Sequence, residues 1–193
     1  MKKNIVVASL LMMGSSALIA ADMGNSWFMG TEFGGMDIKM KATASSGGTT
    51  ASVTDTMNTT YESLKIGKYF DNSRMYTALN YQNKKDDFSS WSLGLGYDYL
   101  IKNSSSFTPF IGANVSYIRG KVDDMPILDK PVGFAAGVEA GFIYALSSKA
   151  EIEAGVRYMN ISNVEDSASI SGVSVKLEGK TATQYYLGLN YKF

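Results

Sequence analysis

Along most of this chain apolar and polar side chains alternate one for one. The last nine residues show it most sharply. Tyr185, Leu187, Leu189, Tyr191 and Phe193 are apolar or aromatic, and everything between them except Tyr186 is small or polar. Period-two alternation predicts a β-strand whose two faces meet different surroundings. Seven further segments share the pattern, so eight strands are predicted, over residues 27–40, 60–70, 74–82, 88–101, 107–118, 132–146, 150–161 and 181–193. In the fourth, Trp91, Leu93, Leu95, Tyr97 and Tyr99 alternate with Ser92, Gly94, Gly96 and Asp98.

The sixth segment carries a competing signal. Gly133, Gly137 and Gly141 recur every four residues, a spacing used where membrane helices pack. The run is too short to span as a helix, however, and Glu139 sits at its middle. Read with period two, Phe134, Ala136, Val138, Ala140, Phe142 and Tyr144 share one face, and a strand is the better reading.

Connections alternate between short and long. Residues 71–73, 102–106 and 147–149 read as turns, rich in Asn, Asp and Ser. Residues 41–58 are a low-complexity mixture of Ser, Thr, Gly and Ala, expected to form a flexible loop. Residues 83–87 and 119–130 are charged and loop-like, and 162–180 is expected to be a long polar loop. Within that last stretch residues 169–178 alternate too, which allows a hairpin reaching beyond the main sheet.

The phase of the alternation selects a solvent. One face of each strand is Leu, Val, Ile, Ala or aromatic, and the other is Gly, Ser, Asn or ionised. A soluble barrel would turn the apolar face inward. Here the aromatics gather toward both ends of the apolar faces: Trp27, Phe70, Tyr99, Tyr144 and Phe193 at one end, Tyr81, Trp91, Tyr117, Tyr158 and Tyr185 at the other. Two bands are expected of girdles at lipid–water interfaces. The segments also supply the ~9–11 residues a tilted strand needs to cross a bilayer. Closing the sheet would satisfy every backbone hydrogen bond in lipid.

The start of the chain fits export. Lys2 and Lys3 precede an apolar run from Ile5 to Met13, and Ala20 and Ala21 offer small side chains before Asp22. Residues 1–20 are therefore expected to be a cleaved signal peptide, with cleavage after Ala21 as the alternative, and residues 21–193 a single barrel domain. There is no cysteine, hence no lipid attachment through one; 18 basic and 18 acidic side chains cancel, which suggests neither nucleic-acid binding nor a polybasic tether.

With the terminal alternating strand ending in Phe193 and seven more like it, the chain resembles the small eight-stranded outer-membrane barrels, the class of OmpX and of the OmpA transmembrane domain. The resemblance spans the whole mature chain, and the terminal strand is its one specific motif. It implies an all-β, antiparallel, up-and-down transmembrane β-barrel in the cell outer membrane. It further implies that Tyr185, Leu187, Leu189, Tyr191 and Phe193 are read by the barrel-assembly machinery. Outer-membrane lipid and lipopolysaccharide would surround it. No cell-wall tether is expected, and a monomer is.

Eight strands leave an interior just wide enough for side chains. Glu32, Lys65, Glu139, Glu151, Glu153, Arg157 and Lys192 fall on the inward phase, and Arg157 is expected to pair with Glu139 or Glu32 because buried charges need partners. This set is expected to fill and close the lumen; a narrow porin-like ion path is the alternative. The absence of His and Cys removes Ser-His-Asp, Cys-His and His-based metal chemistry, so no enzymatic activity and no cofactor are expected. Asp86-Asp87 and Asp123-Asp124 read as solvated loop charge. Specific function is therefore expected of the outer loops, as contacts to a host, phage or neighbouring cell surface.

Overall fold

The computed structural model describes residues 25–85, 87–122, 131–162, 164–170 and 173–193. The chain forms nine strands: β1 (Trp27–Ser46), β2 (Thr49–Tyr69), β3 (Ser73–Lys85), β4 (Phe88–Leu100), β5 (Phe107–Val122), β6 (Val132–Ala145), β7 (Ala150–Ser162), β8 (Glu165–Ile170) and β9 (Val173–Lys192). They pair antiparallel in the order β1-β2-β3-β4-β5-β6-β7-β9-β8, and β1 also pairs with β9. Eight of them thus close into a ring, with β8 an outrigger on the upper part of β9. Closure matters physically, because an open edge in lipid would strand backbone donors and acceptors.

The closing seam joins the two ends of the sequence. Phe28 pairs with Lys192 and Phe33 with Leu187, and the Phe193 N–H, one residue past the strand, donates to the Trp27 carbonyl at 2.9 Å. Short turns and both strand termini lie at one end of the barrel, and the longer hairpins lie at the other. In barrels of this kind the short-turn end faces the periplasm and the long-hairpin end the exterior.

Burial is inverted relative to a soluble protein. Leu64, Leu95 and Val138, midway along their strands, are 62%, 63% and 61% exposed, whereas Glu32, Arg74, Asp98, Glu151 and Glu153 are essentially inaccessible. On the outer face Tyr81 pairs with Trp91. Trp91 and Tyr117 meet edge-on at 6.0 Å, and Tyr117 and Phe134 follow at 5.7 Å. Four strands therefore share one aromatic band toward the exterior. At the opposite end Phe107 stacks on Phe142 at 4.7 Å, and Lys68 reaches over the Trp27 and Phe70 rings at 5.9 and 5.7 Å.

Three connections differ from the sequence expectation. Residues 41–58 are not a flexible loop: β1 and β2 stay in register up to Ser46↔Thr49. Gly47 and Gly48 make the turn with φ of +55° and +84°, the two left-handed positions that a two-residue hairpin loop requires. Residues 83–87 are largely strand, since β3 runs to Lys85 and Lys85 pairs with Phe88. Residues 162–180 are mostly sheet as well, β8 pairing with β9 from Glu165↔Glu178 to Ile170↔Val173. The closing strand accordingly begins at Val173, not at Thr181. β5 continues to Val122, while Asp86, Asp123, Asp124 and the signal segment at 1–20 lie outside the described residues.

The upper parts of β2, β1, β9 and β8 form a four-stranded wall standing above the ring. β1 stays paired with β9 through Ser45↔Ser174, with one register shift at Lys39/Met40. Side chains bind across its base: Asn58 Nδ2 donates to Asp37 Oδ1 at 2.6 Å, and Thr59 Oγ1 donates to the Asn83 carbonyl at 2.9 Å.

Candidate functional site

Alternation places every second side chain of every barrel strand in the lumen, and the sequence puts charge there near mid-height. Among the described residues five carboxylates (Glu32, Asp98, Glu139, Glu151, Glu153) and four cations (Lys65, Arg74, Arg157, Lys192) are buried inside the ring. Taking such ions out of water costs several kcal/mol each unless partners replace the solvent. The structure supplies those partners in two linked clusters.

Arg74 centres the lower cluster. Its Nη1 and Nη2 donate to the two Glu153 oxygens, each at 2.8 Å, and its Nε donates to Asp98 Oδ2 at 2.7 Å. The guanidinium plane also lies 4.9 Å from the Phe110 ring and 5.7 Å from Phe28, so its charge is met by fork geometry and by π faces. Asn190 Nδ2 donates to Glu153 at 2.8 Å. Toward the periplasm, Tyr69 donates to Glu151 at 2.7 Å, and Lys192 Nζ lies 2.8 Å from the other Glu151 oxygen without hydrogen-bond alignment.

Arg157 centres the upper cluster. Its Nη2 is 2.8 Å from Glu139 Oε2, its Nη1 is 3.4 Å from Glu32 Oε2, and Nη1 donates to Gln184 Oε1 at 2.8 Å. Both partners considered from the sequence are therefore in contact with it. Tyr76 donates to Glu139. Lys65 bridges the clusters, 2.7 Å from Glu32 and 3.0 Å from Glu153, and Tyr186 donates to Glu153 at 3.1 Å. Chemically the layer is a mesh of fixed charge inside the lumen, in which each of these nine ionised side chains has an ionic neighbour.

The seven lumen residues singled out in the sequence all join this mesh. Missed were Arg74, Asp98, Tyr69, Tyr76, Tyr186, Gln184 and Asn190. Phase alone could have found Arg74 and Asp98, since each is flanked by outward Met75 or by outward Tyr97 and Tyr99. The tyrosines were hidden by an expectation that aromatics belong outside. Tyr76 is held by a glycine: its ring lies against Gly96 on the neighbouring strand, where any Cβ would collide with it.

The terminal residues Tyr185, Leu187, Leu189, Tyr191 and Phe193 all project outward, each about half exposed. They form one apolar file on the lipid face beside the β1 seam.

A closed antiparallel ring with apolar exterior, aromatic bands and an ionic interior defines a transmembrane β-barrel of the outer membrane. The chain belongs to the family described as outer membrane protein beta-barrel domain, which matches residues 6–193. Its fold is similar to that of Neisserial surface protein A, at 20% identity with a TM-score of 0.59, covering 86% of this chain and 97% of that one. It is also similar to the outer membrane protein OprG of Pseudomonas aeruginosa, at 14% identity with a TM-score of 0.55, covering 91% and 99%. A third likeness is OprH of P. aeruginosa, at 23% identity with a TM-score of 0.51, covering 83% and 99%. No curated protein matches this chain in sequence.

Proposed function

We propose that this outer-membrane barrel is a closed scaffold that holds a polar sheet above the cell surface for contact with another surface. The observation that carries the reading is the combination of a paired ionic layer inside the ring with a wall of paired strands above it. The buried charges of the layer are paired with one another rather than left free to guide an ion, and the wall is too regular to be a by-product of a turn. Along Thr49–Thr56 of β2 every residue is exposed, and Ser and Thr there offer hydrogen bonds without burying apolar area. A ligand on a host, phage or neighbouring cell is the partner class that suits such a surface. The lack of His and Cys in the sequence supports a non-catalytic role.

Deleting residues 42–57 tests the wall: cell-surface attachment should fall while permeability stays unchanged, and unchanged attachment overturns the reading. Planar-bilayer recording tests the closed lumen. Wild-type protein should give no conductance; a conductance whose selectivity changes with Arg157→Ala would replace the scaffold by a narrow ion path.

For biogenesis, the outward file Tyr185, Leu187, Leu189, Tyr191 and Phe193 is assigned as the segment read by the assembly machinery, after removal of residues 1–20 as a signal peptide. Phe193→Ala should lower the amount of heat-modifiable barrel in outer-membrane fractions. Normal levels would remove the assignment.

A further inference from the structure

Between the ionic layer and the outer mouth lies a cavity of about 80 Å³, part of it open to solvent. Its floor includes Arg157 and Tyr76, and its two sides differ in chemistry. On the β1, β7 and β9 side it is lined by Met36, Ile38, Met40, Met159, Ile161 and Ala182. Three of these are methionines, which adapt to varied apolar shapes.

The opposite side, on β3, β4 and β5, is mixed: Ala78, Phe88 and Ile118 are apolar there, and Asn80, Gln82 and Asn114 add amides. Gln82 is only 3% exposed. Its Nε2, together with Asn80 Oδ1 and Asn114 Nδ2, is buried without a hydrogen-bond partner among the described residues. Buried amides left in this state are destabilising unless something arrives to pair them. Their orientation is fixed by neighbours: Asn80 Nδ2 donates to Ser92 Oγ at 3.0 Å, and Ser90 Oγ donates to Gln82 Oε1 at 2.8 Å. The unpaired atoms therefore comprise two N–H donors and one carbonyl acceptor, on side chains that line the cavity.

Among the described residues no charge is free to receive a charged ligand. The only cation among them that lines the cavity is Arg157, and its nitrogens are committed to Glu139, Glu32 and Gln184. An ion brought here would be desolvated without compensation.

We propose that this cavity is a binding site for a small neutral amphipathic molecule, an aliphatic chain bearing an amide-like carbonyl and N–H, which enters from the outer mouth. The chain packs on the methionine side, and the polar group takes donors from Gln82 and Asn114 and gives one to Asn80. The site rests on the closed-lumen reading, since the ionic layer is its floor.

The test uses the full-length mature barrel in lipid nanodiscs with ¹³C-methyl methionine, and octanamide as probe. Met36, Met40 and Met159 line the cavity, whereas Met29 and Met75 project outward into lipid, so inside and outside report separately. Saturable shifts at Met36, Met40 and Met159 alone are expected. Octanoate and octylammonium should bind at least about tenfold more weakly, and Gln82→Leu should weaken octanamide about tenfold, the scale of one lost hydrogen bond. Unchanged Met29 and Met75 signals in that variant would show that it remains folded. Equal shifts at the outward methionines, absence of saturation, or octanoate binding as tightly would each overturn the proposal. Conductance is read separately, so a conducting lumen with no saturable site and a closed lumen with no saturable site give different results.

Discussion

The ring and the wall are built from the same antiparallel pairing, often by the same strands, yet they solve opposite problems. Below Gly35 on β1 every outward side chain must satisfy hydrocarbon and every inward one must satisfy its neighbours. The result is strong alternation and a dense ionic mesh. Above Met40 water reaches both faces, and that demand disappears. β2 shows the change within one strand, from strict alternation along Tyr61–Tyr69 to continuous exposure along Thr49–Thr56. Backbone pairing, the β-branched Thr and Val residues and a two-glycine turn hold the upper part. Packing and paired charge hold the lower.

That contrast can be broken hardest at Arg74. Arg74→Met leaves Glu153 and Asp98 as buried carboxylates without their main partner, a loss on the order of 3–5 kcal/mol. The heat-dependent gel shift of the folded barrel should then occur at a clearly lower temperature. A retained transition temperature would mean that the layer fills the lumen without stabilising it.

Gly96→Val attacks the same region through shape. The new side chain displaces the Tyr76 ring from its seat against Gly96, detaching it from Glu139, at roughly 1–3 kcal/mol of overpacking. Thermal unfolding in detergent should register it, and backbone pairing of the wall should not change.

The wall answers to a different variant. Gly48→Ala forces a side chain into φ of +84°, a strain of roughly 1–2 kcal/mol. Amide exchange should quicken at the β1–β2 tip around Ser46 and Thr49 while ring amides remain protected. Exchange unchanged at the tip would show that the turn is not what keeps the upper hairpin paired.

The smallest effect is electrostatic. On the wall, hydrogen bonds from Lys180 and Lys176 hold the Glu178 carboxyl below the usual carboxylate range, with both ammonium groups at 3.3 Å. Because the folded value is depressed, its contribution is present above the ordinary glutamate range and is lost as pH falls through the lowered value. Protection of β8–β9 amides should drop slightly at acid pH in wild type and not in Glu178→Gln. An identical acid response in both would detach the effect from this carboxyl.

Much of the ring was legible in the residues because lipid imposes a rule on each of them separately. Outward Leu93, Leu95 and Tyr97 and inward Gly94 and Gly96 declare the strand and its faces without knowledge of any neighbour. The wall was harder to read because its side chains answer to water on both faces. Its best sequence signal was Gly47-Gly48, the pair that a two-residue turn needs. In the lumen, phase alone placed Glu32, Lys65, Glu139, Glu151, Glu153 and Arg157 inside, but it could not sort them into clusters.

The number of ring strands, inside and outside, and the lipid address were thus written locally, in side-chain periodicity and aromatic placement. Which cation meets which carboxylate depended on ring closure, which brings Lys65 on β2 beside Glu153 on β7, 88 positions away in the chain. The amphipathic cavity likewise exists only once β1, β7 and β9 face β3, β4 and β5 across the barrel. Periodicity fixes the direction in which a side chain points; only the register and curvature of the closed sheet decide what it meets there.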